Sequence, residues 1–341
     1  MQTFDRTFAR LLLEICRYTY AAVCDDAQNR ADMQDALNWI NGAGNAKPDE
    51  LKLLKGSGTS YACLTAYPDK NIVSYMGTLT EFVTPHRARE SLNDWLNNFR
   101  VAPVPFALTV DQLGADYPAT TNKDDLGGLV HAGFLSELHA VQATVVAELF
   151  KHGGRSRPLY VTGHSQGGAE AALATRALLA GGFPVVATYT FAAPRAGNGA
   201  FVASVPATLP VHRIEFGDDL VPHVPPLDLV PKLRELAAGL QFVPFLDDEA
   251  KRLLNTILGN ELPHGYAELG TLCYGSDKTQ ALRVDLDAAA ESALFADRLW
   301  SLVRHPDRWG DHHHLAGTDS QVAAGQKGNY TALVSNFVQL P

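Results

Sequence analysis

The segment Gly163-His164-Ser165-Gln166-Gly167 places a serine between two glycines, within RPLYVTGHSQGGAEAA at residues 157–172. A serine alcohol is a weak nucleophile near neutral pH. It attacks a carbonyl only when a neighbouring base takes its proton and a third group orients that base. G-x-S-x-G is a loose pattern, and the chain holds 28 glycines, so the flanks decide what it means. Upstream, residues 159–162 (LYVT) have strand propensity and are bounded by Pro158 and the loop-like GGRSR. Downstream, residues 169–180 are rich in Ala and Leu, lack proline and stop at Gly181-Gly182, which predicts a helix with a glycine at its end. Strand, G-x-S-x-G and helix in that order are the setting of a nucleophile elbow, a turn so sharp that the serine Oγ projects from the end of the strand.

In that arrangement an acid and then a histidine follow the serine along the chain. The segment GDDLVPHVPP at 217–226 supplies Asp219, just beyond a predicted strand and in a loop stiffened by Pro222, Pro225 and Pro226. Its neighbour Asp218 reads as a turn former or a solvated charge. The histidines that follow are His223, His264, His305, His312, His313 and His314. His223 is too close to Asp219 to arrive from a separate element and reads as structural. The cluster GDHHHLAG lies in a polar loop near the C-terminus and is the strongest source of the base. Three consecutive histidines cannot readily aim their imidazoles at one ion, so neither a metal nor another cofactor is expected.

The elements that must hold these residues follow from pattern. Residues 61–66 and 71–75 read as strands joined by a Pro-Asp turn, and 185–191 as a buried strand. Another strand ends at Gly217. Residues 130–150 keep an apolar stripe at helical spacing through Leu135, Leu138, Val141, Val145, Val146 and Leu149. Strands alternating with helices predict an α/β protein, with a mostly parallel central sheet and helices on both faces. Residues 227–262 carry two amphipathic helical patterns, read either as ordinary core packing or as a cap over the site. Residues 79–93 read as a mobile surface segment and are the other candidate lid. The whole of residues 1–341 is expected to form one domain around this sheet.

With 46% hydrophobic and 19% charged residues, the chain has ample material for a large core and is not of disordered composition. Its net charge of −9 argues against nucleic acid or a strongly anionic membrane as partner and leaves a neutral substrate or lipid interface open. No apolar run approaches the eighteen or so residues that a spanning helix needs. The N-terminal MQTFDRTFARLLLEICRYTY is interrupted by Asp5, Arg6, Arg10 and Glu14 and reads as an amphipathic helix rather than a signal peptide. A cytoplasmic protein is therefore expected, unless a signal has been removed. Cys16, Cys24, Cys63 and Cys273 show no C-x-x-C spacing and read as buried free thiols.

The ordered motifs YMGT, SLNDWL, VHAGF, VTGHSQGG, TFAAPRAGN and DDLVPHVPP resemble the class 3, fungal-type lipases of the α/β-hydrolase fold, over about residues 60–275. The resemblance implies a carboxylic ester hydrolase with Ser165 as nucleophile and Asp219 as triad acid. It places the oxyanion hole at the backbone N–H of Gln166 and at Thr78. Within the histidine cluster, Asp311-His312 resembles an Asp-His pair of the family and His314-Leu315 a His-Leu pair seen in some members. His312 is the chosen base. Three positions depart from the pattern: Met76 stands where the family has Arg, Gln166 where it has Leu, and Glu268 in GYAELG where it often has His. Acyl transfer to another alcohol on the same fold, and a non-catalytic binding module, remain the alternative functions.

Overall fold

A computed structural model describes residues 4–23, 27–42, 46–77, 101–114, 125–225, 265–304, 312, 313, 315 and 330–340. The expected insertion at 227–262 and the segment at 79–93 lie outside the described residues. A nine-stranded sheet organises the rest, and its strands stand side by side in chain order. They are β1 (Glu50–Lys55), β2 (Tyr61–Ala66), β3 (Asn71–Tyr75), β4 (Leu159–His164), β5 (Val185–Phe191), β6 (Val211–Phe216), β7 (Thr271–Ser276), β8 (Ala281–Val284) and β9 (Val338–Gln339). From β3 through β7 every pairing is parallel, while β1–β2, β2–β3 and β7–β8 are antiparallel.

Both faces of the sheet are covered, so its central strands are apolar on both sides. Ile72 and Val73 are consecutive in β3 and belong to different core clusters, as a side-chain period of two requires. Val73 joins Leu64, Tyr75 and Val161 beneath α3 (Ala132–Lys151) and α4 (Gln166–Ala180). Ile72 joins Tyr189, Phe191 and Ile214 beneath α1 (Arg6–Ala21) and α6 (Tyr330–Asn336). Among the described residues the remaining long helices are α2 (Ala27–Gly42) and α5 (Ala288–Arg304).

The N-terminal stretch is the amphipathic helix that its pattern predicts. Asp5 caps α1 by accepting the Phe8 N–H at 3.0 Å, and Leu11, Leu12, Ile15 and Cys16 are buried. Cys16, Cys63 and Cys273 are buried free thiols, and Cys24 lies outside the described residues. Because β3, β4, β5 and β6 run the same way, Tyr75, His164, Phe191 and Phe216 all end on one rim of the sheet. A rim of parallel strand ends is where α/β sheets bring functional side chains together.

Candidate active site

Ser165 sits between β4 and α4 at φ 56° and ψ −132°, a conformation that L residues adopt only when their surroundings enforce it. The enforcement is visible in the backbone. The Ser165 N–H donates to the Phe191 carbonyl at 2.9 Å, and the Ser165 carbonyl accepts from the Gly168 N–H at 2.9 Å. A Cβ on Gly163 would come within 2.1 Å of the Gly167 carbonyl oxygen, and one on Gly167 within 2.2 Å of the Tyr75 carbonyl oxygen. Only glycines let the strand, turn and helix approach this closely. Gln166 is the first residue of α4, so its N–H lies in the first turn, where backbone donors have no carbonyl within the helix.

Asp219 lies in the loop after β6 and is fully buried. The Asp219 N–H donates to the Phe216 carbonyl at 3.1 Å, and Oδ1 accepts from the Val221 N–H at 3.0 Å. Oδ2 accepts from the Tyr330 hydroxyl at 2.8 Å. Burial pushes the carboxyl pKa up. The facing His313, the positive Arg298 and the Tyr330 hydroxyl outweigh it and hold Asp219 below the usual carboxylate value.

His313 completes the line. Its Nδ1 lies 3.0 Å and 3.2 Å from Oδ2 and Oδ1 of Asp219, and its Nε2 lies 2.9 Å from the Ser165 Oγ. A carboxylate can only accept, so Nδ1 carries the hydrogen and Nε2 is left to receive the serine proton. The three side chains are at most 4% exposed.

The sequence-based choice of His312 is therefore corrected to His313. The His312 Nδ1 accepts the Asp218 N–H at 2.7 Å, its Nε2 stands 3.7 Å from Asp277, and its ring packs edge-on to Phe216 at 4.9 Å. Adjacent residues on a short turn project in different directions, and only one of the two reaches the serine. Asp218 is likewise not a solvated charge: it is buried, and its carboxylate accepts from the Ser301 hydroxyl at 2.6 Å. His223 is structural as expected, buried against Arg298 and Arg195. Thr78, His264, His305 and His314 lie outside the described residues.

Two further residues carry no signal in sequence. Tyr330 comes to Asp219 from α6, 111 positions away. Arg298 in α5 donates from Nε to the Gly217 carbonyl at 2.9 Å and from Nη1 to Glu215 at 2.7 Å, beneath the Asp219 loop. Glu268 pairs with Arg195 at 2.6 Å and Arg213 at 2.9 Å, so at this position a carboxylate neutralises buried arginines. Met76 is a buried apolar side chain. Away from the serine, Glu50, Glu148 and His152 converge, but Glu148 already accepts from Lys52 and Lys151 at 2.8 Å and 2.9 Å.

A largely parallel sheet with a strained serine between its fourth strand and the following helix, and an acid and histidine after it in chain order, is an α/β-hydrolase fold. Residues 83–229 match the sequence model described as Lipase (class 3). Over that segment the chain is similar to the class 3 lipases. It is 33% identical over 150 residues to the secreted mono- and diacylglycerol lipase 1 of Fusarium solani, an alignment covering 43% of this chain and 40% of that protein. It is 38% identical over 112 residues to a Rhizopus oryzae lipase, covering 29% of this chain and 27% of the relative. The chain thus spans less than half the length of these curated relatives. A solved Rhizomucor miehei triacylglyceride lipase superposes with a TM-score of 0.49 at 20% identity, over 85% of this chain and 91% of that one. Relatives from Fusarium solani and Penicillium cyclopium are named as secreted lipases, which overturns the expectation of a cytoplasmic protein: the composition of an N-terminus does not report the compartment. No helix among the described residues is long and apolar enough to cross a membrane.

Proposed function

We propose that this protein is a serine carboxylic ester hydrolase, a lipase or esterase that cleaves acyl esters such as acylglycerols through an acyl-enzyme. The observation that carries the reading is His313 held between Ser165 at 2.9 Å and Asp219 at 3.0 Å. In the reaction the Ser165 Oγ forms a bond to the ester carbonyl carbon while its proton passes to the His313 Nε2. Asp219 stays ionised and stabilises the resulting imidazolium. The carbonyl oxygen becomes an oxyanion, for which the resemblance assigns the Gln166 N–H and Thr78 as donors. Such donors matter because the charge they meet exists only near the transition state, and one lost donor costs about 2.7–4 kcal/mol. Collapse breaks the bond to the alcohol, which leaves with the proton from His313. Water then repeats the sequence on the acyl-enzyme and releases the fatty acid.

Acylglycerols are the favoured substrate class because the family and the named relatives are lipases and the chain's net charge of −9 suits a neutral ester. Residues 227–262 or 79–93 would form the lid that meets a lipid–water interface, within a single domain. Labelling with a fluorophosphonate tests the core of this reading. The wild-type protein should be modified at Ser165 and should hydrolyse p-nitrophenyl and glyceride esters, and Ser165→Ala should lose both properties. Retention of turnover by the purified variant would remove Ser165 from the mechanism.

A further inference from the structure

The triad leaves one imidazole beside it unexplained. His164 directly precedes the nucleophile, is 7% exposed, and is tied to two distant parts of the chain, at His313 and Tyr20. Its Nε2 lies 2.8 Å from the backbone carbonyl of His313. Its Nδ1 lies 3.2 Å from the Tyr20 hydroxyl, which sits in the last turn of α1. The same hydroxyl accepts the Gly77 N–H at 3.0 Å.

Elementary donor chemistry fixes the tautomer of His164 in this chain of bonds. A carbonyl only accepts, so the His164 Nε2 carries the hydrogen and the neutral ring has a lone pair at Nδ1. The Tyr20 O–H stands 3.2 Å from that lone pair and 3.3 Å from the His164 carbonyl, so both acceptors of its one hydrogen belong to His164, and its own oxygen receives the Gly77 N–H. Burial pushes the tyrosine pKa far up, which keeps the hydroxyl a donor. The rings reinforce the path, with centroids 4.9 Å apart for His164 and His313 and 5.8 Å apart for Tyr20 and His164.

Resting on the serine-hydrolase reading above, we infer that His164 and Tyr20 are positioning residues for the triad base. The residue before the nucleophile grips the main chain of the base, so the Ser165-to-His313 spacing is set through two adjacent backbone positions. Tyr20 locks the His164 tautomer that makes this possible. It also ties Gly77, the residue before Thr78, to the elbow, so one hydroxyl couples the end of β3 to the serine and the base. Neither residue touches the reacting atoms. Their role predicts a loss in kcat without a loss of substrate affinity, because misplacing a catalytic group by about 1 Å costs on the order of 10²-fold.

The test uses His164→Phe, His164→Gln, Tyr20→Phe and the His164→Phe/Tyr20→Phe double variant of the full chain, assayed on a soluble p-nitrophenyl ester. His164→Phe should lower kcat by about 10- to 100-fold with KM changed less than about twofold, and the fluorophosphonate labelling rate should fall in parallel. His164→Gln, which keeps an N–H donor at the end of its side chain, should recover part of the loss. Tyr20→Phe should fall in the same direction by a smaller factor, and the double variant should be no slower than His164→Phe alone, as members of one network are non-additive. Unchanged kcat in Tyr20→Phe would overturn the inference even if His164→Phe fails to fold; where it folds, unchanged kcat in His164→Phe or a double variant that multiplies the single losses would do the same. Wild-type protein that is not labelled at Ser165 would instead overturn the underlying reading, so the two failures are distinct.

Discussion

His312 and His313 are neighbours in the chain, yet their imidazoles hold different partners: His313 faces Ser165 and Asp219, while His312 accepts the backbone N–H of Asp218 at 2.7 Å. The pair pins the histidine loop to both sides of one turn. His313→Ala should reduce kcat by about 10⁴- to 10⁶-fold, the scale of losing a triad base. His312→Ala should leave activity within about tenfold, because its role passes through the backbone. Assaying the purified single variants near pH 8 decides between them, and a reversed order would return the base to His312.

Asp219 and Tyr330 separate orientation from support. Asp219→Asn removes the acceptor that fixes the Nδ1–H tautomer of His313 and should lower kcat by about 10⁴-fold. Tyr330→Phe removes the bond to Asp219 at 2.8 Å and the acceptor of the Phe216 N–H at 3.2 Å. The Val221 N–H and His313 still hold the carboxylate, so the loss should stay near tenfold. Steady-state kinetics of both variants checks the ranking; a Tyr330→Phe defect as deep as that of Asp219→Asn would make the hydroxyl part of the triad's essential charge balance.

Arg298 is fully buried and neutralises Glu215 beneath the Asp219 loop. Arg298→Met keeps most of the volume but leaves Glu215 with Arg213 at 2.7 Å and the neutral His223 ring at 3.8 Å, and it removes the Arg298 donor from the Gly217 carbonyl. The variant should lose about 3 kcal/mol of stability, the range for breaking a buried ion pair from one side. Urea unfolding monitored by circular dichroism measures this, and an unchanged midpoint would show that Arg213 alone suffices.

Acid should weaken the fold earlier than carboxylate protonation would. His223 is held neutral, its pKa driven well down by burial and then by Arg298, Arg195 and Arg213. His212, packed against Phe4 and Tyr189, is driven down to about 4 by burial. The unfolded chain protonates both near pH 6.5, about the ordinary histidine value. Below that pH it binds protons that the native state refuses, so stability is complete above about 6.5 and falls as the pH drops toward about 4. Each group steepens the slope by at most about 1.4 kcal/mol per pH unit. Urea midpoints measured from pH 7.5 downward should show the decline, and His212→Gln should flatten part of it. A midpoint constant to about pH 5 would contradict the assignment.

Local pattern was enough for much of this molecule. The strands at 61–66, 71–75 and 185–191, the elbow around Ser165 and the capped N-terminal helix follow from propensity, periodicity and glycine placement, all properties of residues within a few positions of one another. Asp219 was legible as well, since a proline-stiffened loop at a strand end is a local feature. The base was not. His312, His313 and His314 have the same chemistry and one shared neighbourhood in sequence, and the choice between His312 and His313 depends on side-chain direction at a turn whose position is set by contacts 94 and 148 residues away. Tyr20, Arg298 and Tyr330 were silent for the same reason. Each lies on a helix whose pattern specifies only a buried face, and only the packing of that helix on the sheet decides which polar group it brings to the serine's rim.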